Sequence, residues 1–448
     1  MKSTMKKILT LCIFLQSILA LQAQDSNNSF SLKQSIDFAL INQQKVKNAL
    51  LDEKIAQRKV DELVGVGTPQ ITGSADINKF IELPTSFIPA QFFGGNPGEY
   101  MGVKFGQNYT ASAGVTASQL LFDGSYLVGL QASRTYRELS RKATAQTKTE
   151  TAISVSKAYY GALVSDARLE IIQANIDRVT KLYSDTKALN QNGLVEKIDV
   201  DRIELSLNNL KVEKEKIMRF KDLSYALLKF QMGFDSHQSI TLSDKLDESV
   251  LQNIVVADSV DATKRPEFAL ASVQRNLQEL DLKRYKSTYY PSLVAFGSAS
   301  YNASRNEFTI FDSQYKWYPT VVAGLKLTIP IWDGLQKQAR ISQARLSLKK
   351  VDNSIALLKN SFSLEYESSK SSFENSLSSL KIVKKNQELA AEISRVSKIK
   401  YDNGVGSSLE LVDAESSVKE ADANYFNTLY DAIISKIDLQ KTLGATGY

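Results

Sequence analysis

One cysteine and one histidine in 448 residues leave little material for metal or nucleophile chemistry. Cys12 and His237 cannot, within one chain, build a His/Cys metal cluster or a Cys-His nucleophile pair, and a serine triad would have to borrow His237. Prolines number 8 and glycines 21, too few for a turn-rich sandwich, so long helices are the default expectation. Beyond residue 24 no run approaches 18 uninterrupted apolar residues, which argues against a transmembrane helix. Neither charge sign dominates: 55 basic residues face 49 acidic ones, and the net charge of +6 is dispersed along the chain. Without a basic stripe interleaved with aromatics, no nucleic-acid partner is expected. Together these absences predict a protein that is not an enzyme and carries no catalytic residue, cofactor or metal.

What is present begins with Lys2, Lys6 and Lys7, an apolar core from Ile8 to Leu19, and a small residue, Ala23. This reads as a secretory signal peptide over residues 1–23, cleaved near Ala23. The alternative is a membrane anchor, but about twelve apolar residues fall short of about 30 Å of hydrocarbon. Cleavage removes Cys12 and leaves no cysteine to carry a lipid. An exported chain of this kind is soluble outside the cytoplasm, or it enters a membrane as β-strands, whose signal is alternation.

Self-comparison shows two tandem copies of one plan. Phe122-Asp123-Gly124 returns as Trp332-Asp333-Gly334, Asn192-Gly193 as Asn403-Gly404, and Met232-Gly233 as Leu443-Gly444, each about 210 residues later. The first copy, 24–245, is expected to hold a helix at 32–64, strands at 70–79 and 108–121, a long helix at 125–190 and a return helix at 196–232. The second, 246–448, is expected to hold a helix at 265–288, strands at 292–302 and 320–330, a long helix at 335–402 and a return helix at 408–443. Apolar or small residues alternate with polar ones through Ile71–Asn78, Tyr109–Ser118 and Val321–Ile329, the period of a strand. The segments Phe80–Gln107 and Ala303–Tyr318 between the strands read as surface loops; the first is longer by some twelve residues.

Each Asp-Gly is followed by a stretch almost free of helix breakers, long enough for a rod of roughly 100 Å. Ile341, Leu348, Ile355 and Phe362 keep heptad spacing, and Tyr366, Phe373 and Leu380 resume it after a four-residue step, a coiled coil with a stutter. Asn192-Gly193 and Asn403-Gly404 supply left-handed caps before the returning helices, which repeat Ile203, Leu210, Ile217 and Leu411, Val418, Tyr425. The fold class is therefore mainly α with a small β part, in two structural repeats. Four strands cannot close a barrel, and open edges in lipid cost several kcal/mol per unpaired group, so two or three chains must associate to give eight or twelve strands.

At this point the chain resembles the outer-membrane efflux protein family typified by TolC, over essentially its whole mature length. The resemblance rests on the two-copy plan, the Phe-Asp-Gly and Trp-Asp-Gly strand exits, Arg265-Pro266-Glu267-Phe268 opening the second copy, and the two tips. These tips run Asn192-Gly193-Leu194-Val195-Glu196-Lys197-Ile198-Asp199-Val200 and, from Tyr401, Asp402-Asn403-Gly404-Val405-Gly406-Ser407-Ser408-Leu409-Glu410-Leu411-Val412-Asp413-Ala414. It implies a homotrimer in outer-membrane lipid, with one 12-stranded barrel continued by a 12-helix periplasmic tunnel. The partners implied are a periplasmic adaptor and an inner-membrane transporter, in an efflux or type I secretion system whose periplasmic mouth opens like an iris.

By motif position the resemblance assigns Glu410 and Asp413 to acidic rings at that mouth, and Asp199 and Tyr401 to links that hold it closed. Asn192, Gly193, Leu194, Asn403, Gly404, Val405 and Gly406 become adaptor-docking tips. Simpler readings stay open: Ser407-x-x-Glu410 fits a capping box, acids favour a first helical turn, Tyr401 fits a core, and tip residues fit plain turns. Gly406 departs from the pattern, standing where the family's type member has an arginine, and Lys197 is one substitute. Tyr315, Trp317 and Tyr318 fit an interfacial aromatic girdle or a loop cluster, and His237 reads as a solvated linker residue. A coiled-coil envelope spacer without a pore is the competing function.

Overall fold

The computed structural model describes residues 28–251, 260–314 and 316–444. The proposed signal peptide with Cys12, and Tyr315 of the aromatic cluster, lie outside them. The described chain is mainly helical. No described helix is long and apolar enough to cross a membrane.

A short strand β1 (Ser29–Phe30) leads into α1 (Leu32–Asn42) and α2 (Gln44–Val66). Strands β2 (Gln70–Lys79), β3 (Thr85–Pro89), β4 (Tyr100–Lys104) and β5 (Tyr109–Phe122) precede the long α3 (Gly124–Gln191) and the return helix α4 (Lys197–Met232). The second half runs β6 (Thr241–Leu242), α5 (Pro266–Ser287), β7 (Ser292–Arg305), β8 (Tyr318–Thr328), the long α6 (Gln336–Asp402) and α7 (Ser408–Thr442). The repeated Asp-Gly acts as a helix-start device: Asp123 Oδ1 accepts from Tyr126 N at 2.8 Å and Asp333 Oδ2 from Lys337 N at 2.9 Å.

Two departures from the sequence reading have physical causes. The single helix expected over 32–64 is broken at Gln43, whose backbone is extended. Gln43 is buried and donates from Nε2 to the carbonyls of Phe230 (3.2 Å) and Gln231 (3.3 Å), capping the end of α4. There Gly233 comes so close that an added Cβ would sit 2.8 Å from Asn42 O. Glutamine is a good helix former, so only this tertiary contact reveals the break. The expected loop Phe80–Gln107 contains the antiparallel pair β3–β4 and a 3-10 turn, Ala90–Phe93, whose Gly94 cap takes a left-handed φ of 83°. A parallel pairing of β1 with β6, which sets Ser29 opposite Thr241 some 212 residues further along the chain, likewise left no alternation to read.

The chain divides into two compact units that cut across the repeats: Met1–Leu50, Thr144–Pro266 and Lys359–Tyr448 form the first, Leu51–Ala143 and Glu267–Leu358 the second. Within the first, the heptad positions Phe362, Tyr366, Phe373 and Leu380 are buried, as are Ile203, Leu210, Ile217, Leu411 and Val418. Ile172, Ile176, Val179 and Leu182 of α3 pack with Ile203, Leu207 and Leu210 of α4 and with Leu411 of α7 in one cluster.

Within the second unit lies one antiparallel sheet in the order β2-β5-β7-β8. Directly paired residues share a face, and the register sorts the sequence by polarity. Ile71, Ala75 and Ile77 lie on the face of Ala117, Ala113 and Ala111; these continue into Gly297, Tyr301 and Ala303, and then into Ala323, Val321 and Leu325. The opposite face carries Thr72, Asp76 and Asn78 beside Thr116, Ser112 and Thr110, then Ser298, Ser300 and Asn302, and Thr320 and Lys326. Ile71, Val321 and Leu325 are each at least two-thirds exposed, so one chain leaves the apolar face bare. Among the described residues β2 and β8 each pair along one side only.

Candidate functional site: the amphipathic sheet and the helical tips

In the first unit the tips end α3 and α6. Gly193 (φ 73°) and Gly404 (φ 74°) adopt the left-handed conformation that closes each helix. Leu194 N donates to Leu189 O and Val405 N to Lys400 O, at 2.9 and 3.0 Å. Asn192, Leu194, Asn403 and Val405 are exposed around these turns. The first tip adds a brace, Asn190 Nδ2 to Val195 O at 2.8 Å. The second draws tighter: Gly406 N donates to Lys400 O at 3.1 Å, and a Cβ on Gly406 would stand 2.9 Å from Lys400 Cβ and 3.0 Å from Tyr401 N. Any side chain there, arginine included, requires the backbone to move.

The four residues singled out beyond the tips occupy three environments. Glu410 and Asp413 are exposed in the first turns of α7; Ser407 Oγ accepts from Glu410 N at 3.2 Å, so Glu410 also sits in a capped first turn. Tyr401 packs on the cluster around Leu411 and its hydroxyl lies 3.3 Å from Thr186 Oγ1. Asp199, in the first turn of α4, accepts a hydrogen bond from Ser408 Oγ and has Arg202 Nη1 at 3.7 Å. The structure thus brings Asp199 to Ser408 and Arg202, and Tyr401 to Thr186. Lys197, the candidate substitute cation, opens α4 as an exposed residue.

Sequence reasoning missed a polar network higher on α7. Glu415, only 8% exposed, accepts from Arg178 Nη2 (2.8 Å) and Ser394 Oγ (2.7 Å). Asp422 accepts from Asn175 Nδ2 (3.1 Å) and Gln387 Nε2 (2.8 Å). Both acids therefore tie α7 to α3 and α6. Their signal was faint: Glu415 breaks the apolar stripe of α7 between Leu411 and Val418. Further along, Glu248 accepts from the Tyr425 hydroxyl (2.7 Å) and Lys384 Nζ (2.9 Å). The Tyr425 bond, then that of Lys384, holds the Glu248 carboxyl below the usual range; burial, then Glu248, pushes the Tyr425 hydroxyl up. Among the described residues no group of acids and histidines is arranged to hold a metal ion.

Trp317 is half-buried just before β8, and Tyr318, exposed, opens that strand. His237 is exposed in the turn after α4, where its backbone N–H donates to Asp235 Oδ1 at 3.0 Å.

A sheet with one bare apolar face and one polar face, joined in sequence to very long helices, carries the alternation expected of membrane-spanning β-strands. The profile of the family described as Outer membrane efflux protein matches residues 35–215 and 262–445, and the chain belongs to that family. It is 19% identical over 335 residues to outer membrane protein TolC of Vibrio cholerae, covering 74% of this chain and 76% of that protein. Its fold is similar to crystal structures of CusC, a study of folding and transmembrane channel formation (TM-score 0.74, 16% identity, 93% of this chain and 92% of that one). It is also similar to the open state of the Neisseria gonorrhoeae MtrE outer membrane channel (TM-score 0.68, 17% identity, 92% and 88%). The protein is thus an outer-membrane efflux channel protein and not an enzyme.

Proposed function

We propose that three copies of this chain share one 12-stranded barrel in outer-membrane lipid, continued by a helical tunnel. The tunnel passively exports substrates delivered by an inner-membrane transporter through a periplasmic adaptor. The observation that carries the reading is the sheet: four strands in register, apolar on one face, polar on the other, with both edges open. In hydrocarbon those edges require partners, and closure by identical copies satisfies every backbone group while turning the Thr, Ser and Asn face into a wet lumen. Trp317 and Tyr318, where β8 begins, suit the lipid boundary. A pore-free spacer has no use for such a sheet.

In this reading the tips at 192–194 and 403–406 meet the adaptor, Tyr401 and Asp199 belong to the links that close the mouth, and Glu410 and Asp413 ring it. Three copies of two exposed acids around a narrow aperture attract cations and bind divalents. Planar-bilayer recording tests this: Glu410→Ala with Asp413→Ala is expected to raise single-channel conductance and weaken block by divalent cations. Unchanged currents and unchanged block would remove these acids from the aperture.

A further inference from the structure

Among the described residues the apolar face of the four-stranded sheet carries two charged side chains, Lys79 and Arg305, and no others. Lys79 pairs with Tyr109 and Tyr109 with Arg305, so the two cations stand in one row across three strands, the last row before the loops. With about 4.8 Å between neighbouring strands, their backbones are roughly 10 Å apart. Arg305 is held in place, its Nη1 and Nη2 donating to the carbonyls of Ser304 (2.5 Å) and Lys316 (3.0 Å). Lys79 is exposed, with Nζ 5.5 Å from the centre of the Tyr109 ring, and among the described residues no carboxylate forms an ion pair with it. The other end of the face, from which the long helices leave, closes on Leu293 and Leu327, with exposed Tyr290 and Trp332 a few residues beyond.

We propose that Lys79 and Arg305 form a binding site for the phosphate groups of an outer-leaflet glycolipid, with Tyr109 between them at the boundary of hydrocarbon and headgroups. The proposal rests on the channel reading above, which puts this face in lipid and the loop end of the strands outside the cell. A cation on a lipid-facing wall is costly unless it reaches anions or water at the interface. The lysine stem can lie along the wall while its ammonium reaches headgroup depth, which is also the depth a tyrosine ring favours. A carboxylate partner would have neutralised Lys79 within the protein; lacking one, its charge is left for an external anion. Phosphate suits both members, as a counter-charge for the ammonium and as a hydrogen-bond acceptor for the guanidinium. The asymmetry of the face selects the lipid. Phospholipid phosphates lie in both leaflets and give no reason to confine the cations of this face to one end, whereas a phosphorylated glycolipid of the outer leaflet does.

The test is native mass spectrometry of the purified full-length oligomer in detergent, offered diphosphorylated lipid A or the same lipid stripped of its phosphates. Wild type is expected to retain the phosphorylated form about thirtyfold better, and Lys79→Gln to cut that preference about fivefold, the factors for two cations and for one beside an anionic headgroup layer. Lys79→Gln with Arg305→Gln is expected to abolish it. Lys326→Gln, which removes a cation from the polar face, is expected to leave it unchanged. Gels of unheated samples check that each variant stays oligomeric, and if Arg305→Gln disturbs its loop, Lys79→Gln decides alone. Equal retention of both lipids by wild type, or an unchanged preference in Lys79→Gln, would overturn the site and leave the channel standing. Phosphatidylglycerol retained as well as lipid A would overturn the glycolipid, and displacement of lipid A by inorganic phosphate at equal concentration would assign the cations to free anions. Wild-type protein that forms no barrel would overturn the channel reading itself.

Discussion

Val321→Arg is expected to empty the outer-membrane fraction of assembled protein. Val321 lies three residues into β8, paired with Ala299, on the apolar face, and is 76% exposed in the single chain. Arginine on the lipid face of a barrel costs from about 1 kcal/mol near an interface to about 2–4 kcal/mol at the midplane, and Val321 stands between the two. Three equivalent chains would multiply that to roughly 3–12 kcal/mol, which reaches the whole stability of a typical fold. Ser298→Arg is the control. Ser298 pairs with Val322 on the opposite face, where Lys326 already places a charge, so its arginine would project into water. Outer-membrane fractionation with gels of unheated samples reads both variants. Normal assembly of Val321→Arg, or equal loss in both, would contradict the assignment of faces.

Arg265→Ala is expected to cost the helical unit about 3 kcal/mol in denaturant unfolding, near the lower end of losses on breaking a buried ion pair. Arg265 is 2% exposed, donates to Glu365 Oε2 at 2.7 Å and places its guanidinium 3.9 Å from the Phe362 ring centre. Lys441 Nζ holds the other oxygen of Glu365 at 2.9 Å. The loss is moderated because Glu365 is 37% exposed and keeps Lys441. Arg265→Lys would not rescue it, since an ammonium lacks the planar fork that both pairs and stacks. The pH dependence has a definite sign. Burial raises the Glu365 carboxyl, but the bonds from Lys441 and Arg265 outweigh it and hold the group below the ordinary glutamate range. A depressed folded pKa means stability fully present above the unfolded pKa and lost as pH falls through the folded one. The gap between wild type and Arg265→Ala should therefore narrow in that acid window. A gap independent of pH would mean that packing on Phe362, and not the ion pair, carries the effect.

Much of this architecture was legible because its signals are periodic or repeated. Heptads at Phe362, Phe373 and Leu380 marked the buried seam of a long helix, and alternation through Val321–Leu327 marked a two-faced strand. Asp123 and Asp333 recur because each starts a long helix. What escaped depends on single contacts between distant residues. The break at Gln43 is set by carbonyls nearly 190 positions away, in α4. The pairing of Asp199 with Ser408, and of the buried Glu415 with Arg178, leaves no pattern along the chain. Motif position located Tyr401 and Asp199 at the tips, but which groups they touch is a matter of helix rotation that spacing does not fix.

Single-particle imaging of the detergent-extracted mature protein tests the central claim most directly. The account predicts a threefold particle with a short twelve-stranded barrel continuous with a long helical tunnel. Isolated rods, or soluble dimers without a barrel, would contradict it.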